Sequence, residues 1–213
     1  MSLPVLIIGA GGHAAVVLDV LRAVGANTVG FADRAVALRG TNVRGMPVFG
    51  GDEAVFERYP PDRVMLANGV GGNQSTGDRR AVFERFSGHG YRFMTLVHPS
   101  AVVSPSATLG AGAQVMAGAV LQTSVTIGPN AIINTRACVD HDCIIGGHVH
   151  VAPGAVLSGG VSVADRAHLG AGCVVIQGIR IGEGALVAAG AVVLRDVPAH
   201  GRVAGNPARE ISV

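Results

Sequence analysis

Charged side chains are scarce in this chain: Asp, Glu, Lys and Arg together make up 14% of 213 residues, and the formal net charge is only +2. It carries no basic run of the kind that tracks a phosphodiester backbone, which excludes a nucleic-acid surface built on charge. So few charges beside 49% hydrophobic residues leave much neutral surface and point to burial in an oligomer. Uninterrupted apolar runs are also missing. The positive mean hydropathy comes from Val and Ala spread along the chain and broken by Gly, so no membrane insertion is expected. The opening residues lack a basic region, and their apolar run ends in a glycine loop, so no secretory signal is expected. Cysteine is rare and odd in number. Cys138, Cys143 and Cys173 fall at mostly apolar positions and read as small packing residues in a reducing cytoplasm, not as a disulfide set or a metal site.

What is present is a beat of six. From Val97 to Val193 every sixth residue is Val, Leu or Ile, 17 positions without an insertion. The residue four later is Ala in most hexads and otherwise Val, Ile or Cys, and the residue directly after the aliphatic one is often Gly (Gly110, Gly128, Gly146, Gly170, Gly182). A period of six is neither the 3.6 of a helix nor a plain alternating strand. It is the period of a solenoid of short stacked parallel strands. The long aliphatic is expected inside the column, the small residue four on at a tight turn, and Gly where a turn excludes a Cβ. A purely structural solenoid would show the same period.

Ahead of the repeat the pattern is α/β. Leu3–Ile8 reads as a buried strand, Gly9 to Ala14 as a glycine loop, and Ala14–Val24 as a helix with Val16, Val17, Val20, Leu21 and Val24 at helical spacing. This is a Rossmann-like opening: Gly9 permits the turn, Gly11 lets a phosphate approach the backbone, Ala14 stands where the third glycine would pack, and the helix start offers free N–H groups. A strand at Thr28–Phe31 leads to Asp33, at the distance expected of a ribose ligand. Val43–Phe49 reads as a short strand, Glu53–Tyr59 as a helix, and Val64–Ala67 as a strand that ends in a second glycine-rich loop, Asn68 to Asn73. Asp78–Ser87 is expected to be helical, and Phe93–Val97 to be the last strand. The domains are accordingly drawn as 1–96 and 97–213. His98-Pro99-Ser100 leaves no flexible linker between them, so they are expected to be rigidly placed. An NAD-dependent enzyme is the first reading of the opening loop. About three strands and no hydride-transfer domain argue against it, and the loop is read instead as gripping another nucleotide's diphosphate.

A repeat whose only job is to stack should carry few polar residues, and one hexad gathers an acid–His–acid cluster, Asp140-His141-Asp142, with His148 and His150 following in the next. An imidazole backed by a carboxylate takes a proton near neutral pH, which suits a general base in direct attack on a thioester. Adjacent strand residues face opposite sides. Asp142 therefore pairs with His141 only if the two straddle a corner; otherwise Asp140 or a neighbouring chain supplies the acid. A metal site from His141, His148 and His150 does not match a standard ligand spacing, and none is expected.

The strand–GxxGH–helix unit, Asp33, the Asn68-Gly69 loop, the His98-Pro99-Ser100-Ala101 junction, and hexads carrying His-Asp-Cys-x-Ile-Gly-x-x-x-His-Val together resemble the NeuD/PglD-type hexapeptide-repeat sugar acetyltransferases, over residues 3 to 209. The resemblance implies a left-handed parallel β-helix with three hexads per coil, hence five full coils and two thirds of a sixth, roughly 27 Å tall at ~4.8 Å per coil. It implies acetyl-CoA as co-substrate and a homotrimer with active sites between columns. The reaction implied is N-acetylation of a nucleotide-linked 4-amino-4,6-dideoxyhexose, GDP-perosamine or a UDP-amino sugar, for a surface glycan such as lipopolysaccharide O-antigen. By the same resemblance His141 is the general base and Asp142 its acid partner. His13, Asp33, Arg34, Asn68 and Gly69 hold the nucleotide sugar with Gly11 and Gly12. His150, Gly159, Ala171 and Ala189 line the coenzyme A groove, and the tail from Val203 to Arg209, expected to be coil-like, lies near the coenzyme. Arg34 stands where a related UDP-sugar enzyme has a second acid. O-acetylation of a free sugar or sialic acid, and a non-catalytic nucleotide-binding trimer, are the alternatives.

Overall fold

In the computed structural model, which describes residues 3–72 and 76–211, the chain falls into two compact units. One comprises Met1–Gly71 and Asp78–Thr95, the other Gly72–Gly77 and Leu96–Val213. Asn73 of the second glycine loop lies outside the described residues. None of the described helices is long and apolar enough to cross a membrane.

The first part of the chain runs β1 (Val5–Ile8), α1 (Gly12–Ala23), β2 (Thr28–Ala32), β3 (Asn42–Val43), β4 (Met46–Pro47), α2 (Asp52–Arg58), β5 (Met65–Asn68) and α3 (Gly77–Gly88). β1 lies between β2 and β5, all parallel. Its four residues are all buried, which is why it reads as an unbroken aliphatic run. α1 begins two residues earlier than its apolar spacing suggested, and Leu18 is buried while Val16 and Val24 face outward. The expected single strand at Val43–Phe49 is instead the hairpin β3–β4. Arg44 and Gly45 both take positive φ, 51° and 78°, the two-residue turn that a hairpin favours. The expected strand at Phe93–Val97 is also divided: Phe93 bridges Leu66, whereas Leu96–Val97 pairs with Gln114–Val115 of the column.

The second unit is a parallel β-helix of two-residue strands, each paired with the strand 18 residues on, as in Val120 with Cys138. Three faces result: a six-stranded face from Val102–Val103 to Val192–Val193, a five-stranded face from Thr108–Leu109 to Arg180–Ile181, and an eight-stranded face that starts at Leu96–Val97. The second residue of each strand points inward, and from Val115 to Val193 these side chains are essentially buried.

Two details of the hexad differ from the expectation. The small residue four places after the aliphatic is not at the turn; Ala113, Ala119, Ala131 and their equivalents sit in the core. The turn residue is the one before it. Every sixth residue from Gly112 to Gly190 has φ between 57° and 71°, including Ser124, Asn130, Arg136, Asp142, His148 and Arg166. Gly110, Gly128 and Gly182 are required for a different reason, coil stacking: a Cβ on them would meet backbone of the adjacent coil at 2.6, 2.5 and 2.3 Å. The tail likewise is not coil: Arg202–Ala204 adds to the eight-stranded face beside Leu186–Val187 and forms a hairpin with Arg209–Glu210.

Outward on the six-stranded face stands an apolar ladder, Val102, Val120, Cys138, Val156, Val174 and Val192, with Val102 64% and Val156 38% exposed. Cys138 is therefore not a core packing residue, unlike Cys143 and Cys173, which are buried.

Candidate functional site

The corner between the six- and five-stranded faces carries Asp140-His141-Asp142. Asp142 occupies the left-handed turn position, φ 59°, and this brings its carboxylate back to its neighbour. Asp142 Oδ2 lies 2.8 Å from His141 Nδ1, while Asp140 Oδ1 accepts the His141 backbone N–H at 2.8 Å. The corner condition raised by the sequence is thus met, with Asp142 as the side-chain partner and Asp140 as a clamp on the main chain. A carboxylate only accepts, so Nδ1 carries the proton and Nε2 is left basic. The Asp142 hydrogen bond and then the Asp140 charge raise the imidazole pKa above its usual value. Both side chains are exposed, 56% and 64%.

In the next coil Gly159 lies against this ring: a Cβ there would come within 2.5 Å of His141 Cε1 and Nε2. Among the described residues the Gly159 N–H makes no hydrogen bond, so a free amide adjoins the imidazole.

A second feature lies at the corner between the eight- and six-stranded faces. A groove of about 530 Å³ is lined there by His150, His168, Ala171 and Ala189, with Arg202 at its rim. Three of the four residues assigned to coenzyme A thus come together, and Gly159 does not; it sits with His141. Asn134 Nδ2 is 3.0 Å from His150 Nε2, and His168 packs edge-on to His150 at 4.9 Å. Asn134 and His168 were not read as site residues; both lie on the column's outer surface beside a residue that was. Burial pushes the His168 pKa down. His148 bonds instead to Asn130, 2.9 Å away, and among the described residues no three acidic, His or Cys side chains converge as a metal site would need. Burial pushes the Cys173 thiol up to about 12, so it is no nucleophile.

In the α/β unit a cavity of about 290 Å³ opens at the C-terminal ends of β1 and β2, bounded by Gly9, Asp33, Arg34 and Val70 and by α3. Gly9 takes φ 95°, as its turn requires. Gly11 and Gly12 face open space, with nothing within 4 Å of an added Cβ. Asp33 is at the cavity but spends its carboxylate on the loops: Oδ2 accepts Ala10 N–H at 2.7 Å and Oδ1 accepts Ala35 N–H at 2.8 Å. Asn68 is buried and turned inward, donating to the Arg79 carbonyl at 3.0 Å and accepting from Val70 N–H. Gly69 packs against Ile7 and Ala14, and His13 meets Gly71. The loop after β5 is held by Arg79, fully buried, which donates to the carbonyls of Asn68 and Val70 at 3.0 and 2.8 Å. Burial lowers the Arg79 pKa to about 9, which leaves it cationic at neutral pH.

Sequence reading also missed Asp52. It accepts Arg34 Nη2 at 2.7 Å and Nε at 3.2 Å, and Arg85 Nη2 lies 2.8 Å from the same oxygen, an ion pair without hydrogen-bond alignment. Asp52 heads a short helix and Arg85 sits in the next one, so no local motif joins them.

A parallel column of hexads that presents a carboxylate-backed imidazole beside a free amide defines a hexapeptide-repeat acyltransferase. The protein-family model for the PglD N-terminal domain matches residues 4–86. Among solved structures, perosamine N-acetyltransferase (PerB) from Caulobacter crescentus is 40% identical over 100% of both chains, with a TM-score of 0.89. It was crystallised with CoA and GDP-perosamine, also as H141N and H141A variants. The acetyltransferase domain of PglB from Neisseria gonorrhoeae FA1090 is 35% identical over 99% of this chain and 100% of that one (TM-score 0.90), and has a complex with acetyl coenzyme A. WeeI from Acinetobacter baumannii AYE is 28% identical over 99% and 100%, with a TM-score of 0.87. No curated protein matches significantly. The chain belongs to the NeuD/PglD-type sugar acetyltransferases, enzymes that use acetyl-CoA. That membership argues against the scaffold and NAD-dependent readings.

Proposed function

We propose that this protein transfers the acetyl group of acetyl-CoA to the amino group of a nucleotide-linked 4-amino-4,6-dideoxyhexose of the GDP-perosamine kind. The observation that carries the reading is the 2.8 Å contact of His141 Nδ1 with Asp142, which leaves Nε2 free and basic beside the Gly159 amide. As the sugar nitrogen attacks the thioester carbonyl, His141 Nε2 takes its proton. The C–N bond forms, the C–S bond breaks, and the departing thiolate of coenzyme A recovers a proton from the imidazolium. The Gly159 N–H donates to the oxyanion of the tetrahedral intermediate. Asp142 positions the ring and favours its charged form. The groove at His150, Ala171 and Ala189 takes the coenzyme. The glycine loop at Gly11, Gly12 and His13 takes the diphosphate, and the cavity beside Asp33 and Arg34 takes the nucleoside.

Within one column His141 and the coenzyme groove stand at opposite edges of the six-stranded face, and the apolar ladder runs between them. A closed homotrimer with that face toward its axis covers the ladder and brings one chain's His141 to its neighbour's groove. Free thiols at all three cysteines suit a cytoplasmic enzyme. The product is an acetamido sugar for a surface glycan of the O-antigen type.

Acetyl transfer to a panel of GDP-, UDP- and dTDP-linked amino sugars tests the reading. The wild-type protein is expected to acetylate a nucleotide-linked 4-amino sugar, and His141→Asn to lower turnover by about 10² to 10⁴-fold with the oligomer intact. Turnover by His141→Asn near the wild-type rate removes His141 from the chemistry.

A further inference from the structure

Of all the Asp, Glu, Lys and Arg residues in the chain, only Arg136 falls between Val97 and Val139. It occupies a left-handed turn on the edge between the eight- and six-stranded faces, with φ 57°. The other left-handed turns on that edge are Gly118, Gly154, Gly172 and Gly190, with φ between 66° and 68°. An arginine there bears backbone strain that glycine avoids. Where another charged, imidazole or amide side chain takes such a turn of the column, it has a partner. Asp142 meets His141, Asn130 meets His148, and Arg166 pairs with Glu183. Arg136 is exposed, and among the described residues its side chain makes no hydrogen bond or ion pair. A strained cation held without a partner is a candidate for binding an anion from outside the chain.

Its position selects the anion. At this corner the groove proposed for the coenzyme begins at Ala152 and Pro153, in the coil after Arg136, and runs through later coils as far as Arg202. The thioester must lie at the end nearest His141, and the phosphates of the coenzyme toward the far end. The Arg136 stem turns the other way: its Cγ is 3.3 Å from where a Cβ of Gly118, one coil earlier, would stand. His141 follows Arg136 by five residues, so the two differ in height by less than one coil of ~4.8 Å. The rotation that builds the proposed trimer, about an axis along the columns, keeps that height. One chain's Arg136 then lies across the cleft from its neighbour's His141. Beyond the thioester at that level comes the acceptor, whose sugar carries a phosphate at the anomeric carbon.

We propose that Arg136 binds the sugar-linked phosphate of the nucleotide-sugar acceptor and so holds the amine within reach of His141. This rests on the reaction proposed above and adds to it a binding residue supplied by the column.

Steady-state kinetics with acetyl-CoA and GDP-perosamine, or the better acceptor from the panel above, test it alongside thermal melts. Arg136→Gln keeps a hydrogen-bond donor and loses the charge. It is expected to raise KM for the acceptor by about 10- to 100-fold, with kcat and the KM for acetyl-CoA within about threefold of wild type. Arg136→Lys keeps the charge and should recover most of that loss. Arg136→Gly restores the residue of the neighbouring turns. It should melt no lower than wild type yet show the same rise in KM, which a merely structural arginine would not do. An unchanged acceptor KM in Arg136→Gln, a rise confined to acetyl-CoA, or a lower melting temperature with KM intact in Arg136→Gly overturns the assignment and leaves the proposed reaction standing. If the wild-type protein acetylates no nucleotide-linked amino sugar, the reaction itself fails, and this role of Arg136 with it.

Discussion

Gly159 lies so close to the His141 imidazole that a single added methyl would overlap it, at 2.5 Å from both Cε1 and Nε2. Gly159 is at the third place of its hexad, not at the left-handed turn, so backbone freedom does not explain it. The glycine makes room for the ring. Gly159→Ala is expected to tilt the imidazole and lower turnover by about 10²-fold with a near-normal melting temperature, read by steady-state kinetics and calorimetry. Unchanged turnover would mean that the ring works from another rotamer.

The pH profile should carry the signature of Asp142. Its hydrogen bond is the largest influence raising the His141 pKa, followed by the charge of Asp140. A general base must be unprotonated, so the acidic limb of kcat/KM follows that pKa. Asp142→Asn removes the carboxylate and should move the limb to lower pH, with Asp140→Asn moving it the same way by less. The rate on the plateau should fall as well, since the ring loses its orientation. A limb displaced upward in Asp142→Asn would contradict the pairing.

The apolar ladder makes the oligomer testable apart from chemistry. Val156→Glu places a charge on an exposed position of that face, where the column itself has nothing to lose. Sedimentation is expected to show a smaller species with an unchanged β spectrum, and acetyl transfer should disappear with the assembly. A monomeric but fully active Val156→Glu protein would show that each column carries a complete site.

Glycines in the column should divide into two energetic classes. Gly154 has φ 68° and open space around it, so Gly154→Ala meets only backbone strain, about 1 to 2 kcal/mol. Gly128 has no positive φ, yet a Cβ there would meet Gly146 C and Gly147 N at 2.5 Å. Gly128→Ala must push two coils apart and should cost more than Gly154→Ala. Paired thermal melts compare them directly.

Arg79→Met keeps much of the side-chain volume and leaves the carbonyls of Asn68 and Val70 without their buried donor. A loss of about 2 to 5 kcal/mol in the stability of the α/β unit is expected, together with weaker nucleotide binding through the loop it holds. Denaturant titration followed by nucleotide calorimetry measures both.

Much of the column was legible because its repeat is local and uninterrupted: the aliphatic at Val115 or Leu157 does the same work as its neighbours six residues away. The parallel sheet and the cluster at His141 were legible for related reasons, a buried run and a break in a regular pattern. The reading went astray where contacts, not spacing, decide. Glycines at Gly110 and Gly128 suggested turns but serve the stacking of coils 18 residues apart, and the turn position accepts Arg136 and Asp142. Spacing also could not show that the Asn68 and Asp33 side chains bond to backbone groups of neighbouring loops. Arg79 and Asp52 gave no signal, since a buried charge looks like a surface charge until its partners are known.

By itself the sequence determined that a six-residue period would wind into a stacked column, because a strand too short to bury its face alone is stabilised only by the coil above and below. It also determined that one imidazole with two acids would stand out from that column. Only the tertiary structure decided which acid His141 meets, that Gly159 adjoins it, and that the groove at His150, Ala171 and Ala189 lies on another edge, because these follow from how the chain turns each corner and which residues 18 apart come into register. It alone decided that Asp52 gathers Arg34 and Arg85, since pairing between charges distant in sequence depends on the packing of separate helices and leaves no periodic trace.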